Sequence, residues 1–545
     1  MINNKYYETT TFSPDFNWYP RPFPFPGPTS TDNHNFYKMW LLYLPTALIL
    51  TYFLYNRYFH PLCNIPGPFF ASISPLWLVY QCYHRRRPRL DIQLHKIHGS
   101  IVRVSPNEII FSNPDHFREV YGAGTKFTKS RFYEAPTDRS QEPGWEKLDM
   151  LVEKDIEKLR AQKRFAGPIY SISNAQKHEH LIDNNILRMI KRYHNLIKGM
   201  KSGNSKSIDI YYEFEMLNVD IMSEFTFGKP YGAVEKGSDD GHMASMDAMW
   251  AWWGWIGYLP WLNEIDKSYS PWNILFAMNA PKKLPVFPYA VSQVTSYERS
   301  IASGEKTSPC LLDDLRSLSR SRPEFKDNWG MRLALTDLGA GVDTMSWTLA
   351  AFVVGIGQNP HVYQKFKSEL ESSGLSKAVP VPYEGAAKLS YFQACLHECL
   401  RMWPNIAISI PRDVPAGGIE IDGCYIPEGY TVGMNSKVLG LNGDVFGSEP
   451  EKFRPERWLE ADKVQRDSME NKNLSFGGSS RKCPGMHVAW VCMSKVLASF
   501  CLNFEVKLLN ELDGEPGPAG HVWREYGSFP TKVSDLRGFV GSRKC

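Results

Sequence analysis

Hydrophobic positions along this chain fall into three kinds of run. The first is continuous. Residues 39–55, MWLLYLPTALILTYFLY, carry no charge and reach the lower end of the roughly 17–25 residues that a membrane-spanning helix needs. Lys38 precedes the run, and Arg57, His60 and Arg85-Arg86-Arg87 follow it. The basic excess on the C-terminal side puts that side in the cytosol. The run reads as a membrane anchor; a buried core helix kinked at Pro45 is the alternative. The second kind alternates. IVRVSPNEIIFSNPDHF, from Ile101, predicts two short strands around Pro106-Asn107 and a helix start at Asn113-Pro114. The third has helical spacing. Residues 329–358 are apolar on nearly every side and predict a central buried helix, capped by Asp327 or Asn328 and stopped by Pro360. From about residue 325 onward the chain reads mostly as long helices.

These runs give a mainly α chain with a smaller β-sheet region. Residues 1–37 are rich in Pro, Asn and aromatics without any period and read as a flexible tail. They lack the basic start, apolar core and cleavage site of a signal peptide. An anchor follows at 38–58, then a linker at 59–70 stiffened by Pro66-Gly67-Pro68, then one large body at 71–545. Within the central helix stands a local conflict, GAGVDT at 339–344. Each glycine inside a helix costs about 1 kcal/mol relative to alanine, and such a conflict marks a functional site.

Composition narrows the possibilities. A net charge of +4 over 545 residues gives no reason to expect a nucleic-acid partner. The 16 Trp and 30 Phe point to apolar ligands or a membrane surface. The 10 cysteines form no CxxC pair and no disulfide framework, so the body reads as reduced and cytosolic. Cys395 and Cys399, i and i+4 in an apolar helix, read as a buried pair. No dinucleotide fingerprint is present: a third glycine would be needed at Thr344, and the segment is not preceded by a strand.

Four short motifs follow one another: Ala340-Gly341-Val342-Asp343-Thr344; Glu398-x-x-Arg401 in a helix ended by Pro404; Phe453-Arg454-Pro455-Glu456-Arg457; and FGGSSRKCPG, with Phe476, Arg481, Cys483 and Gly485. An isolated ExxR pair says little, but the four in this order resemble the cytochrome P-450 family from the anchor to the C-terminus, and in particular its filamentous-fungal members of secondary metabolism. Two positions depart from that family's pattern. Ser479 stands where glycine is usual, at a backbone conformation that glycine takes more easily, and Met345 follows Thr344 where a second hydroxyl is common.

The resemblance implies the cytochrome P-450 fold and a haem b whose iron is held by Cys483, a thiolate that favours O–O cleavage. A helix start directly after Cys483, with Pro484 in its first turn, would lower the thiol pKa. Phe476 shields the sulfur, Gly485 belongs to the same haem-binding motif, Arg481 faces one propionate, Arg412 the other, and Lys163 or Arg164 reaches the haem edge; exposed basic residues are the alternative for the last three. Asp343 and Thr344 relay protons to O₂ over a distal face kept open by Gly341, the alternative being a threonine bonded to its own helix. Glu398, Arg401 and Arg457 form the family's structural network, and Ile406 to Ile410 line the substrate pocket. His487 packs on the helix behind the cysteine. Residues 249–262, MWAWWGWIGYLPWL, together with the loop 126–145, lie at the substrate entrance or in the core.

The implied activity is insertion of one oxygen atom from O₂ into an apolar small molecule, a terpenoid, alkaloid or polyketide. Electrons come from NADPH through a separate NADPH-cytochrome P-450 reductase, and the enzyme is a single-pass protein of endoplasmic reticulum membrane lipid with its catalytic domain in the cytosol. A haem-thiolate isomerase or dehydratase, and a haem sensor or carrier, are the competing readings.

Overall fold

A computed structural model describes residues 30–135, 150–201, 207–262, 286–305, 308–322, 324–325, 327–509, 524–527, 529–534 and 536–543. Most of the Pro-rich tail and the loop from 136 to 145 therefore lie outside the described residues. The chain divides into two compact units, one ending at Tyr55 and the other beginning at Asn56.

The described part of the first unit is α1 (Ser30–Leu54), which contains Pro45. Its apolar side chains, Trp40, Leu41, Leu44, Leu48 and Leu54 among them, are exposed. Among the described residues, two helices of the second unit, Trp329–Gly357 and Met486–Asn503, are long and apolar enough to cross a membrane, and both are mostly buried inside it.

In the second unit the predicted strands appear as β1 (Ile101–Ser105) and β2 (Glu108–Phe111), followed by β3 (Thr128–Lys129). Asn113 caps the short turn of helix at Pro114, accepting from the Asp115 N–H at 3.0 Å. Helices then dominate: α2 (Ile156–Ala166), α3 (Glu179–Lys201), α4 (Ile210–Phe227), α5 (His242–Ile256), α6 (Asp327–Gly357) and α7 (Ser390–Met402). Strands β4 (Arg412–Asp413) and β5 (Thr431–Gly433) complete a sheet in the order β1-β2-β5-β4-β3, in which only β2 and β5 run parallel. After α8 (Met486–Asn503) the chain is β again: β6 (Phe504–Leu508), β7 (Arg524–Gly527), β8 (Thr531–Ser534) and β9 (Arg537–Ser542).

That last region departs from the mostly helical reading of the chain beyond residue 325. The four C-terminal strands are short and interrupted by glycine and charge, so their alternation never extends far enough to read. The central helix is α6, as its pattern predicts, and it packs along α4 within one large apolar core that includes Trp347, Phe352, Trp403 and Phe500. A smaller core with Ile109, Phe111, Val432 and Trp458 lies beneath the five-stranded sheet.

Candidate active site

The cysteine motif folds as a tight loop before α8. The Cys483 N–H donates to the Phe476 carbonyl at 2.7 Å, and the Lys482 N–H to the Ser479 carbonyl at 3.1 Å. Turning the chain this sharply puts Gly477 at φ +75° and Ser479 at φ +40°. The departure from glycine at Ser479 is thus a residue with a Cβ held in the left-handed region, at about 1–3 kcal/mol. Ser479→Gly should stabilise the protein by about 1 kcal/mol, since freer glycine in the unfolded chain offsets part of that relief. Unfolding curves of Ser479→Gly beside Ser479→Ala check this; equal midpoints would exclude strain at the loop. The helix begins at Met486 with Gly485 as its cap, so Pro484 precedes the cap instead of entering the first turn.

Among the described cysteines, Cys483 alone lines a cavity of about 310 Å³. Cys483 keeps exposed surface where the cavity opens, and the protein packed around the thiol raises its pKa above the ordinary value by desolvation; the Gly485 N–H and the Lys163 ammonium pull it down, but less. The helix-start effect predicted to lower this pKa is present and is outweighed by desolvation. Phe476, Arg481 and Gly485 line the same cavity, as do Gly341, Asp343, Thr344, Ile406, Ile410 and Arg412. Thus residues from three distant segments meet in one place. Of the two candidates on α2, Lys163 reaches the cavity and Arg164 does not. Adjacent helical residues point about 100° apart, and Lys163 shares its side of the helix with the cavity-lining Leu159, while Arg164 is exposed with its guanidinium 5.5 Å from the Phe165 ring centroid. His487 is exposed, which corrects the packing role expected of it.

The basic residues at the cavity are poorly compensated. Arg412 is 3% exposed, donates to the Pro411 carbonyl at 2.9 Å and leaves Nε buried without a hydrogen-bond partner. Arg481 donates to the Phe127 carbonyl at 2.5 Å. Neither forms an ion pair among the described residues. Burial and the Arg412 charge push Arg481 down to about 10, and burial pushes Lys163 down to about 8.

On α6 the structure departs from the simplest relay. Thr344 Oγ1 donates to the Ala340 carbonyl at 2.8 Å, the i−4 bond of a helix-interior threonine. Asp343 is 2% exposed, and both of its oxygens are taken. Oδ2 accepts from Trp250 Nε1 at 2.6 Å, and Oδ1 accepts from Lys532 Nζ at 3.0 Å. Gly341 is tight rather than open: a Cβ there would lie 2.9 Å from Met222 Sδ. Residues 249–262 divide between the two readings given to them. Trp253 is core, stacked on Trp250 with centroids 5.4 Å apart and donating to the Phe132 carbonyl at 3.0 Å, whereas Trp250 lines the cavity and Trp261 is exposed.

Glu398 is fully buried and receives five donors. Arg401 approaches with Nε at 2.8 Å and Nη2 at 2.7 Å, Arg457 Nε at 3.0 Å, Trp458 Nε1 at 2.8 Å and the Arg454 N–H at 2.8 Å. Burial alone would raise its pKa, but the two guanidiniums hold it below the usual carboxylate value. The arginines extend the network to backbone: Arg401 to the Pro450 carbonyl at 2.6 Å, Arg457 to the Glu449 carbonyl at 3.1 Å. Ser475 Oγ, in the stretch leading to Cys483, donates to the Leu400 carbonyl at 2.5 Å. That bond ties α7 to the segment that carries the cysteine loop, while the Glu398 network ties α7 to residues 449–458.

The sequence matches the family described as cytochrome P-450 over residues 66–525. The chain belongs to the cytochrome P-450 family. Relatives include cytochrome P-450 monooxygenase sdnT of Sordaria araneosa, 30% identical over 512 residues that cover 85% of this chain and 90% of that protein. Cytochrome P-450 monooxygenase mfmA of Annulohypoxylon moriforme is 29% identical over 466 residues, covering 84% and 89%. Pisatin demethylase of Fusarium vanettenii is 25% identical over 474 residues, covering 85% and 88%. As a P-450 monooxygenase the protein is an oxidoreductase that takes O₂, electrons from a redox partner and a small-molecule substrate, and carries haem b with a cysteine thiolate on the iron.

The residues present fit that group. A planar apolar molecule with one soft-ligand position and two carboxylates needs an apolar cavity, a thiol opening into it and cations at its edge. The cavity has far more apolar than polar lining, Cys483 opens into it, and Arg412 and Arg481 hold positive charge beside it with no carboxylate of their own. Two P-450 site residues here escaped the motifs. Lys532 sits in a short strand without a helical or alternating frame, and nothing in its neighbourhood signals that it is buried. Lys129 lines the cavity while donating to the Met150 carbonyl at 2.8 Å, and it too carries no local signal.

Proposed function

We propose that this P-450 oxygenates an apolar secondary metabolite, of terpenoid, alkaloid or polyketide class, with electrons from NADPH delivered by a separate P-450 reductase. The observation that carries this reading is the cavity beside Cys483: aromatic and sulfur side chains (Trp250, Phe529, Phe225, Met222) line its walls, and relatives over most of the chain are fungal monooxygenases.

When bound, a thiolate-ligated haem supplies O₂ activation and the insertion of one oxygen atom into a C–H or C=C bond. The chain's own residues have separate tasks. Cys483 provides the thiolate, with Phe476 keeping water from it. Arg412, Arg481 and Lys163 neutralise the propionates. Ile406 and Ile410 present an apolar wall to the substrate. Thr344 holds a hydroxyl at the cavity, and Asp343 on the next position holds a carboxylate. Proton supply there is general acid catalysis, worth about 10²–10⁴-fold. Thr344→Ala should leave NADPH consumption running while product per NADPH falls severalfold and peroxide rises; unchanged coupling would remove Thr344 from the relay.

Residues 38–58 anchor the enzyme in the endoplasmic reticulum membrane with the body, 71–545, in the cytosol. Support comes from the exposed apolar side of α1 and the basic residues after it. Removal of residues 1–55 should shift the protein from the membrane pellet toward the supernatant after carbonate washing. A truncated protein that distributes between the two fractions as the full chain does would contradict the anchor.

Metabolite profiling of a strain coexpressing the chain and a reductase tests the function. The expected result is a product one oxygen heavier, labelled from ¹⁸O₂ and dependent on NADPH. A product of unchanged composition formed without NADPH would favour the isomerase reading instead.

A further inference from the structure

We propose that Lys532 and Glu215 form a buried proton relay behind Asp343, with Lys532 the positioning residue that fixes the Asp343 carboxylate. The inference rests on the reading of Asp343 and Thr344 given above. Lys532 lies on β8 between buried neighbours, Thr531 and Val533, and its own side chain is 4% exposed. Nζ stands 3.0 Å from Asp343 Oδ1 on α6 and 3.4 Å from Glu215 Oε1 on α4. The three groups come from three elements that meet only in the folded protein.

The charge state follows from the donors. One ammonium between two buried carboxylates leaves a net negative charge unless one acid keeps its proton. Asp343 has a second donor, Trp250 Nε1 at 2.6 Å, whereas burial holds Glu215 up to about 8. The proton therefore belongs to Glu215, and the cluster is neutral as Asp343⁻, Lys532⁺ and Glu215–H. Burial opposes the ammonium, but the acidic groups around it, Asp343 foremost, hold its pKa above the ordinary lysine value, so Lys532 does not give up a proton alone. It can transfer in concert: Lys532 gives one of its three protons to Asp343 as Glu215 gives its proton to Lys532 Nζ. The ammonium is restored, Asp343 becomes the neutral acid at the cavity, and Glu215 becomes the carboxylate to be reprotonated from outside.

The outer side of the cluster leads toward Asp247, 27% exposed and paired with Arg85 at 2.7 Å, and Tyr526, which lies directly across from Lys532 in the β7–β8 pair. The charge of Asp247 is felt at both Lys532 and Tyr526. The other titratable groups around the cluster are Tyr211 and Asp209 toward Glu215, and His242 toward Asp343. A buried ion pair stabilises a fold little more than apolar residues of the same shape, so stability alone does not account for a lysine at this depth.

The test uses the holoenzyme. Infrared difference spectra taken across a pH titration should show a buried protonated carboxyl that is lost near pH 8 and is missing in Glu215→Gln. No such band in the wild type, or one that survives Glu215→Gln, overturns the assignment. With reductase, NADPH and O₂, the rate of NADPH oxidation should follow the same titration and fall by about 10²-fold in Glu215→Gln and Lys532→Met, while Lys532→Arg retains most of the rate and the pH profile. CO-difference spectra of each variant report whether it has folded with haem; should Lys532→Met not fold, Glu215→Gln alone decides. Asp343→Asn separates the two levels. If it leaves NADPH use and peroxide release as in the wild type, the underlying reading of Asp343 fails. If it alters them while Glu215→Gln retains the wild-type rate and pH profile, only the relay through Lys532 fails.

Discussion

Replacing Cys483 by serine is expected to abolish the thiolate-type Soret band of the reduced, CO-bound protein and to reduce turnover to background. A hydroxyl is smaller than the thiol and introduces no clash, so the loop should keep its shape: the Cys483 N–H bond to the Phe476 carbonyl involves only backbone. What is lost is the soft, electron-donating ligand that favours O–O cleavage. The raised thiol pKa does not argue against this assignment. Burial opposes the thiolate in the absence of a cation, and iron is itself such a cation, one that deprotonates a coordinating thiol outright. Cys395→Ser is the matching control. That sulfur is buried with its pKa driven far up by desolvation and away from the cavity, so its loss should cost stability and leave the spectrum in place. A thiolate-type spectrum retained by Cys483→Ser would move the ligand to another cysteine.

Replacing Glu398 by alanine is expected to leave little haem-loaded protein at all. The substitution strands two guanidiniums, of which Arg401 is fully buried and Arg457 nearly so, and also unpairs Trp458 Nε1 and the Arg454 N–H. Removing one partner of a buried ion pair costs about 3–5 kcal/mol, a large share of the 5–15 kcal/mol that keeps a domain folded. The damage should reach the haem side, because α7, which the network fixes, also holds Ser475, in the stretch leading to Cys483, through the Leu400 carbonyl. The ratio of Soret to protein absorbance and the unfolding midpoint measure it together. A variant with normal haem content and midpoint would show that the three residues are replaceable. Glu398→Gln should be milder, since its carbonyl oxygen in the place of Oε1 still accepts from three of the five donors.

These two effects differ in how far they could be read in advance. Cys483 stands in a local motif whose geometry is set by neighbours in sequence. The positive φ at Ser479 follows from the same loop, which is why a serine in place of glycine could be recognised as strain before any coordinates. Glu398 and Arg401 are three residues apart on one helix and could be suspected as a pair, yet only Arg457, Trp458 and the carbonyls near residue 450 make them buried and structural. Lys163 against Arg164 was undecided because both are basic, and only the side of α2 that faces the cavity separates them.

The sequence by itself determined the family, the cysteine motif proposed to supply the ligand, the central helix with its Gly-Asp-Thr interruption and the position of the first sheet. Each of these is encoded within a window of a few to a few tens of residues, where periodicity, turn chemistry and spacing carry the information. The tertiary structure alone decided what Asp343 touches. Its partners lie 93 and 189 residues away in the chain, on a tryptophan that sequence could assign equally to core or entrance and on a lysine in a strand too short to show a pattern. The i−4 bond of Thr344 and the filling of Gly341's free side by Met222 belong to the same class. A side chain's partner is set by which elements pack together, and packing depends on surfaces brought together from across the whole chain.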